Sequence, residues 1–413
     1  MARPLLNRLA ALTLITSAGI GSLGAAPRGL PAVAAETKEV EPRPLPKQQG
    51  PSTIDSALQR AAEKLLRAAK PVQGAIVAVE PKSGRILAFA ALASSGSTFD
   101  VLTQARLPAA SLFKVVTTTA LLETMAVGLQ DEVCISGGMH GIERRHLDPA
   151  RGRGAQCGPF AWALGHSKNA VFAQLATHRL TREALSSTAQ RLGFNAKLAL
   201  DDGDHQAELG RLTLPYNDLE FARAAAGFQG SSLSPIGAAY LMTLIARGGT
   251  PVSLRLHERV VDNASDTIPT TDASPPFSPR TAQRLTRMLE VTVETGTSRA
   301  AFTGPDRKRY LPGIRVAGKT GTLRPPAGLG PQRHRAGQGQ DSMASWFVGF
   351  APSRSPEVVV SVMLENGPTY RRKANELARD LLRTYFRAHG RAQTVTDPFV
   401  EAPADVLADA SSR

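Results

Sequence analysis

The sequence predicts an α+β fold. Three observations carry that expectation: β-rich runs lie near both ends of the chain, helical periodicity fills the stretch between them, and no internal repeat divides it. In order, STIDSALQRAAEKLLRAAK from Ser52 places Ile54, Leu58, Ala61/Ala62, Leu65/Leu66 and Ala69 on one helical stripe, with Ser52 or Thr53 as N-cap. Gly74-AIVAVE and Arg85-ILAFAA flank the turn Pro81–Gly84 and predict a hairpin. Pro108-Ala-Ala-Ser111 opens a strongly apolar helix to about Met125. Residues 160–195, 216–247 and 281–301 are expected to be helical. IRVAGKT, ASWFVGFAP and EVVVSVML have the β-branched, continuous apolar character of buried strands, and Glu376 to Tyr385 suggests a closing helix. Strands at the two ends with helices between them argue for one domain rather than a string of small ones.

Composition excludes several classes. With 413 residues, 42% hydrophobic and 20% charged, the chain is neither wholly disordered nor a polytopic membrane protein. Its formal charge of +14 is compatible with nucleic acid, anionic lipid or an anionic wall polymer. No Lys/Arg-rich block with interleaved aromatics is present, so nucleic acid is not the expected partner. Two cysteines cannot make a disulfide-rich scaffold.

Residues 1–35 carry arginines and no acid, then the apolar stretch Leu9 to Ala26, then Ala32-Val33-Ala34-Ala35 before the first acid, Glu36. This is the pattern of a secretory signal, with cleavage expected near Ala35 and an uncleaved membrane anchor as the alternative. The protein is therefore expected on the periplasmic side or outer face of the cytoplasmic membrane. Residues 36–52 are Pro-rich and charged, a linker; 53–390 form the domain; 391–413 have the composition of a disordered tail.

Three short motifs carry the candidate chemistry. Ser111-Leu-Phe-Lys114 puts an amine one helical turn from a hydroxyl, and Ser111 is the only serine with lysine three residues later. A serine becomes nucleophilic when a base removes its proton, and a lysine serves as that base if burial and a nearby cation keep it neutral. Ser167-Lys-Asn169 opens a helix; its hydroxyl and amide could face a cleft, though Ser and Asn also favour helix starts simply as caps. Lys319-Thr320-Gly321-Thr322, ending the strand from Ile314, offers a cation and hydroxyls to a carboxylate. Lys82-Ser83-Gly84 matches the same pattern, but it sits in the hairpin turn and is assigned to turn chemistry with a positive-φ glycine.

The ordered combination of these motifs resembles the penicillin-binding protein transpeptidase family, whose motif set is shared with serine β-lactamases. The likeness extends through STIDSALQRAAEKLL, GAIVAVEPKSGRILAFAA, SSLSPIGAAYLMTLIARGG, MLEVTVETGTSRAAF and ASWFVGFAP, roughly residues 52–388. It implies an antiparallel sheet with an all-helical subdomain. It further implies that Ser111 attacks the peptidoglycan stem between two terminal D-alanines, with Lys114 taking its proton. Ser167 would relay the proton to the leaving amine and Asn169 would hold the substrate amide. Lys319 would set the local potential. Thr320 and Thr322, around Gly321, would bind the terminal carboxylate or that of a β-lactam. The backbone N–H groups of Ser111 and Thr322 would form the oxyanion hole. No cofactor or metal is implied; the implied partners are stem peptides and β-lactams. With only 36–52 before the domain, an isolated transpeptidase-like domain is expected. Leu323 to Asp341 is longer and richer in Gly, Pro and Arg than a tight strand connection and is expected to overhang the cleft.

Cys134 and Cys157, between the first two motifs, leave three alternatives: a disulfide, as an extracytoplasmic location and some family members suggest, two free thiols, or a metal site with His140 or His146. His166 beside Ser167 is a rival base, although a lone helix-start histidine is more often structural. Trp162 and Trp346 are expected in the core. The function expected is a D,D-transpeptidase. The rivals are a D,D-carboxypeptidase, a serine β-lactamase, for which no water-activating glutamate is assignable, and a non-catalytic penicillin sensor or wall-binding scaffold.

Overall fold

A computed structural model describes residues 50–94, 96–200, 205–258, 274–323, 342–367 and 371–390. The expected signal segment, most of the linker, the 324–341 part of the long connection and the tail lie outside the described residues. The first helix, α1 (Ser56–Ala69), is capped by Asp55, whose carboxylate accepts from the N–H groups of Ala57 and Leu58 at 2.8 Å each. This corrects the expected cap at Ser52 or Thr53. A cap must reach the second or third N–H of its helix, which residue 55 does and residues 52 and 53 do not. Thr53 is instead buried, its hydroxyl donating to the carbonyls of Ile86 and Arg255. The buried stripe Leu58, Ala62, Leu66, Ala69 follows the helical period; truncating Leu66 to Ala is expected to cost ~2–5 kcal/mol.

The hairpin forms as expected. Strands β1 (Gln73–Val79) and β2 (Ile86–Ala93) pair antiparallel, and Gly84 in their turn has φ +76°, where a Cβ would lie 2.2 Å from the Ser253 carbonyl oxygen. After α2 (Thr98–Thr103) and the short β3 (Leu107–Pro108), a 3-10 turn at Ala110–Leu112 runs directly into α3 (Phe113–Glu123). Next come β4 (Glu132–Ile135), β5 (Gln156–Pro159), α4 (Phe160–Gly165), α5 (Asn169–Arg179) and α6 (Arg182–Arg191). Strands β6 (Lys197–Leu200), β7 (His205–Glu208) and β8 (Gly210–Leu212) precede α7 (Asp218–Ala225), β9 (Ser231–Leu233) and α8 (Pro235–Ala246).

The expected helix over 216–247 is thus interrupted. Gly227 and Gly230 adopt φ +83° and +74°, turning the chain so that β9 pairs with β3 and β8. The helical part is accordingly not helical throughout: it also carries the ladders β3–β9–β8, β4–β5 and β6–β7. These are two- to four-residue strands, too short to leave a period in the sequence.

The chain then passes through α9 (Pro279–Glu294) and α10 (Arg299–Phe302) to β10 (Ala317–Leu323), β11 (Met343–Ala351), β12 (Val358–Asn366) and α11 (Ala374–Ala388). The sheet order is β10-β11-β12-β1-β2, antiparallel at every pairing. Every residue of β12 is buried, as befits a central strand covered on both faces. Alternation splits the core. Val77 and Val79 pack with α3, α5, α8 and α9, while Ile76 and Ala78 pack with α1 and α11.

Candidate active site

Ser111 lies in the 3-10 turn between β3 and α3, and its position is fixed from three sides. Trp346 Nε1, fully inside the core, donates to the Pro108 carbonyl at 3.0 Å. The Ala109 N–H donates to Ser231 O at 3.1 Å. Ala110 has φ +50°, a strained value for a residue with a Cβ, and Gly227 packs so closely that a Cβ there would lie 2.1 Å from Ala110 O.

Lys114 is completely buried in the first turn of α3. Its Nζ donates to the Ala226 carbonyl at 2.6 Å and lies 2.7 Å from Ser111 Oγ. Burial, reinforced by the positive charge of Lys319, holds the Lys114 amine well below its ordinary pKa. Lys319, also completely buried, is lowered by burial to about 7. Neither lysine has a carboxylate partner among the described residues; burial favours the neutral amine at Lys114, while Lys319, at about 7, still carries its charge at and below neutral pH.

Ser167 sits at φ +56° in the three-residue break between α4 and α5, where the N–H groups of Ser167 and Lys168 donate to Leu164 O and Ala163 O. Its hydroxyl accepts from Lys319 Nζ at 3.1 Å. Asn169, the first residue of α5, sends its Nδ2 to Met139 O at 2.6 Å. Neither side chain caps the helix. Lys319 also donates to Thr320 O, and the Thr320 hydroxyl lies 2.6 Å from that of Thr297. Lys319 to Thr322 occupy the middle of β10 rather than the end of a strand from Ile314, because pairing with β11 starts at Ala317 and runs through Leu323. This strand is an edge, so part of its backbone faces away from β11. A Cβ on Gly321 would come within 3.3 Å of Ala109 O, so β10 and the Ser111 turn touch.

The remaining candidates take structural positions. Cys134 and Cys157 are joined by a disulfide across the β4–β5 ladder, which leaves no thiolate for a metal even though Glu132 stands beside them. His146 is buried and accepts the Glu143 N–H at Nδ1, while His140 is exposed. His166 Nε2 faces Thr295 Oγ1 at 3.4 Å rather than a serine; burial and then Lys168 lower its pKa. Trp162 is half-buried, under the Lys168 ammonium at 4.5 Å. Lys82-Ser83-Gly84 stays in its hairpin turn. Sequence reasoning missed Ala226, Met139 and Thr297. The first two act through backbone carbonyls, which leave no residue-type signal.

A profile of the penicillin binding protein transpeptidase domain matches residues 74–383. The chain belongs to this family. Among curated relatives, the peptidoglycan D,D-transpeptidase PbpA of Mycobacterium tuberculosis is 26% identical over 366 residues, covering 76% of this chain and 67% of the relative. Stage V sporulation protein D of Bacillus subtilis is 27% identical over 343 residues, and the match spans about half of it (49%). The transpeptidase domain of penicillin-binding protein 3 from Burkholderia pseudomallei superposes with TM-score 0.64 at 23% identity, over 84% of this chain and 98% of that one. The imipenem acyl-enzyme of penicillin-binding protein A from M. tuberculosis gives 0.57 at 22%, over 81% and 79%. These likenesses show the penicillin-binding transpeptidase fold.

Proposed function

We propose that this chain is a serine-type peptidoglycan D,D-transpeptidase that forms an acyl-enzyme at Ser111 and is acylated there by β-lactams. One observation carries the reading: two hydroxyl–amine pairs, Ser111–Lys114 and Ser167–Lys319, stand against each other where β10 meets the Ser111 turn. With one N–H of the neutral Lys114 amine on Ala226 O, its lone pair is free for the Ser111 proton. Ser111 Oγ then attacks the carbonyl between the two D-alanines, and the C–N bond breaks as the Ser167 hydroxyl delivers its proton to the departing amine and takes in exchange the one Lys114 drew from Ser111. Lys319, hydrogen-bonded to Ser167, supplies a positive potential beside that relay and beside the substrate carboxylate, which Thr320 and Thr322 bind. The Asn169 amide, braced by Met139 O, holds the substrate's own amide. Attack on the acyl-enzyme by an amine from a neighbouring stem makes a cross-link; attack by water makes a carboxypeptidase product.

The relatives named peptidoglycan D,D-transpeptidases and the acyl-enzyme structure support this reading. We place the protein outside the cytoplasm, at the periplasmic face, on the strength of the N-terminal pattern and a disulfide that persists in oxidising compartments. Incubation with a fluorescent penicillin followed by intact-mass analysis tests the activity. One adduct on the wild type and none on Ser111→Ala is expected; a labelled Ser111→Ala protein, or an unlabelled wild type, overturns it. Many turnovers of a chromogenic β-lactam would favour a β-lactamase instead.

A further inference from the structure

We propose that Thr297 is a positioning residue of the carboxylate subsite, acting through the hydroxyl of Thr320. The inference rests on the transpeptidase reading, in which Thr320 binds the substrate's terminal carboxylate.

The two hydroxyl oxygens are 2.6 Å apart. At that distance one donates and the other accepts, so Thr297 decides where the Thr320 proton points. When an anion sits in front of β10, the favourable order is Thr297 O–H to Thr320 Oγ1 and Thr320 O–H to the carboxylate. Each bond in such a chain polarises the next, and the last one is charge-assisted. With Thr297 unable to donate, Thr320 loses the donor that turns its own hydrogen toward the ligand.

Thr297 is exposed, so its hydroxyl needs no protein partner for solvation. What holds it at Thr320 is the backbone around it. Gly296 N–H donates to Val291 O at 2.7 Å and Ser298 N–H to Thr292 O at 2.8 Å, locking the turn onto the end of α9. The buried Ser298 hydroxyl accepts from Asn375 Nδ2 on α11. Thr297 N–H donates to Gly165 O at 3.3 Å, and a Cβ on Gly296 would lie 2.2 Å from that same oxygen. Gly165 is the last residue of α4, two before Ser167. The turn carrying Thr297 is therefore wedged between the segment that delivers Ser167 and the strand that delivers Thr320. A hydroxyl on so constrained a turn is preorganised.

The test compares acylation of the wild type, Thr297→Val and Thr297→Ser by benzylpenicillin and by its neutral methyl ester, read as adduct mass against time. The ratio of the two second-order rates is taken within each variant, so a partly unfolded sample does not distort it. The valine variant is expected to lose about tenfold in that ratio, through the penicillin rate, with the ester rate within about twofold of wild type. Serine, which keeps the hydroxyl, is expected to restore the ratio. Equal slowing with both probes, or an unchanged ratio in the valine variant, overturns the proposal. A wild type that neither probe acylates sinks the transpeptidase reading itself, and this role with it.

Discussion

Lys319 Nζ lies 3.1 Å from Ser167 Oγ across 152 residues of chain, and both groups lie where β10 meets the turn holding Ser111 and Lys114. A buried ammonium against a hydroxyl, with a second lysine near enough to feel its charge, sets the electrostatics of the cleft.

The pH dependence of acylation follows. Lys114 acts only when neutral, so the rate rises from acid pH with a midpoint far below the ordinary lysine value. Lys319 contributes its charge only when protonated, so the rate falls again above about pH 7. Penicillin acylation rates should decline between about pH 7 and 9; a rate still climbing at pH 9 would contradict both assignments. Lys114→Ala should lower the rate by roughly 10²–10⁴-fold, with a melting curve confirming the fold.

Stability should depend on pH through the same lysine. The folded-state pKa of Lys319 is about 7, below its unfolded value. Between the two the unfolded chain binds more protons, so the folded state gains stability as pH rises through that window. The gain is at most about 1.4 kcal/mol per pH unit for one group. Urea unfolding midpoints should increase from pH 7 toward 10 in the wild type, and Lys319→Met should flatten that slope.

The disulfide closes a loop with a sequence separation of 23 that contains Met139, the carbonyl partner of Asn169. Replacing both Cys134 and Cys157 by serine should cost about 3 kcal/mol by denaturant titration. It should also weaken peptide substrates more than it slows chemistry, raising KM with a smaller change in kcat.

Gly227 is the neighbour that lets Ala110 O approach. Gly227→Ala adds a Cβ 2.1 Å from that oxygen at φ +83°, and should destabilise by roughly 1–3 kcal/mol or more while slowing penicillin labelling of Ser111. Full labelling at the wild-type rate would mean that the turn tolerates displacement.

Where structure lay within a few residues of sequence, the letters were enough. The α1 stripe, the hairpin with its positive-φ Gly84, the buried strands and the closeness of Ser111 to Lys114 all follow from periods of 2 and 3.6 and from turn chemistry. Asp55 displaced the expected cap, and Gly227 and Gly230 broke the expected helix, because helix ends depend on what the flanking residues bond to: the Thr53 hydroxyl to the carbonyls of Ile86 and Arg255, and β9 to β3.

The sequence by itself determined the long helices and the strands of the main sheet, the family likeness and the identity of the polar groups, since local sterics and hydrophobic period act within a turn or a strand. Only the tertiary structure decided that Lys319 meets Ser167, that both lysines are stripped of water, and that Thr297 and two backbone carbonyls join the site. Those contacts span tens to hundreds of residues, and nothing but the packing of helices on a five-stranded sheet brings them within hydrogen-bonding reach.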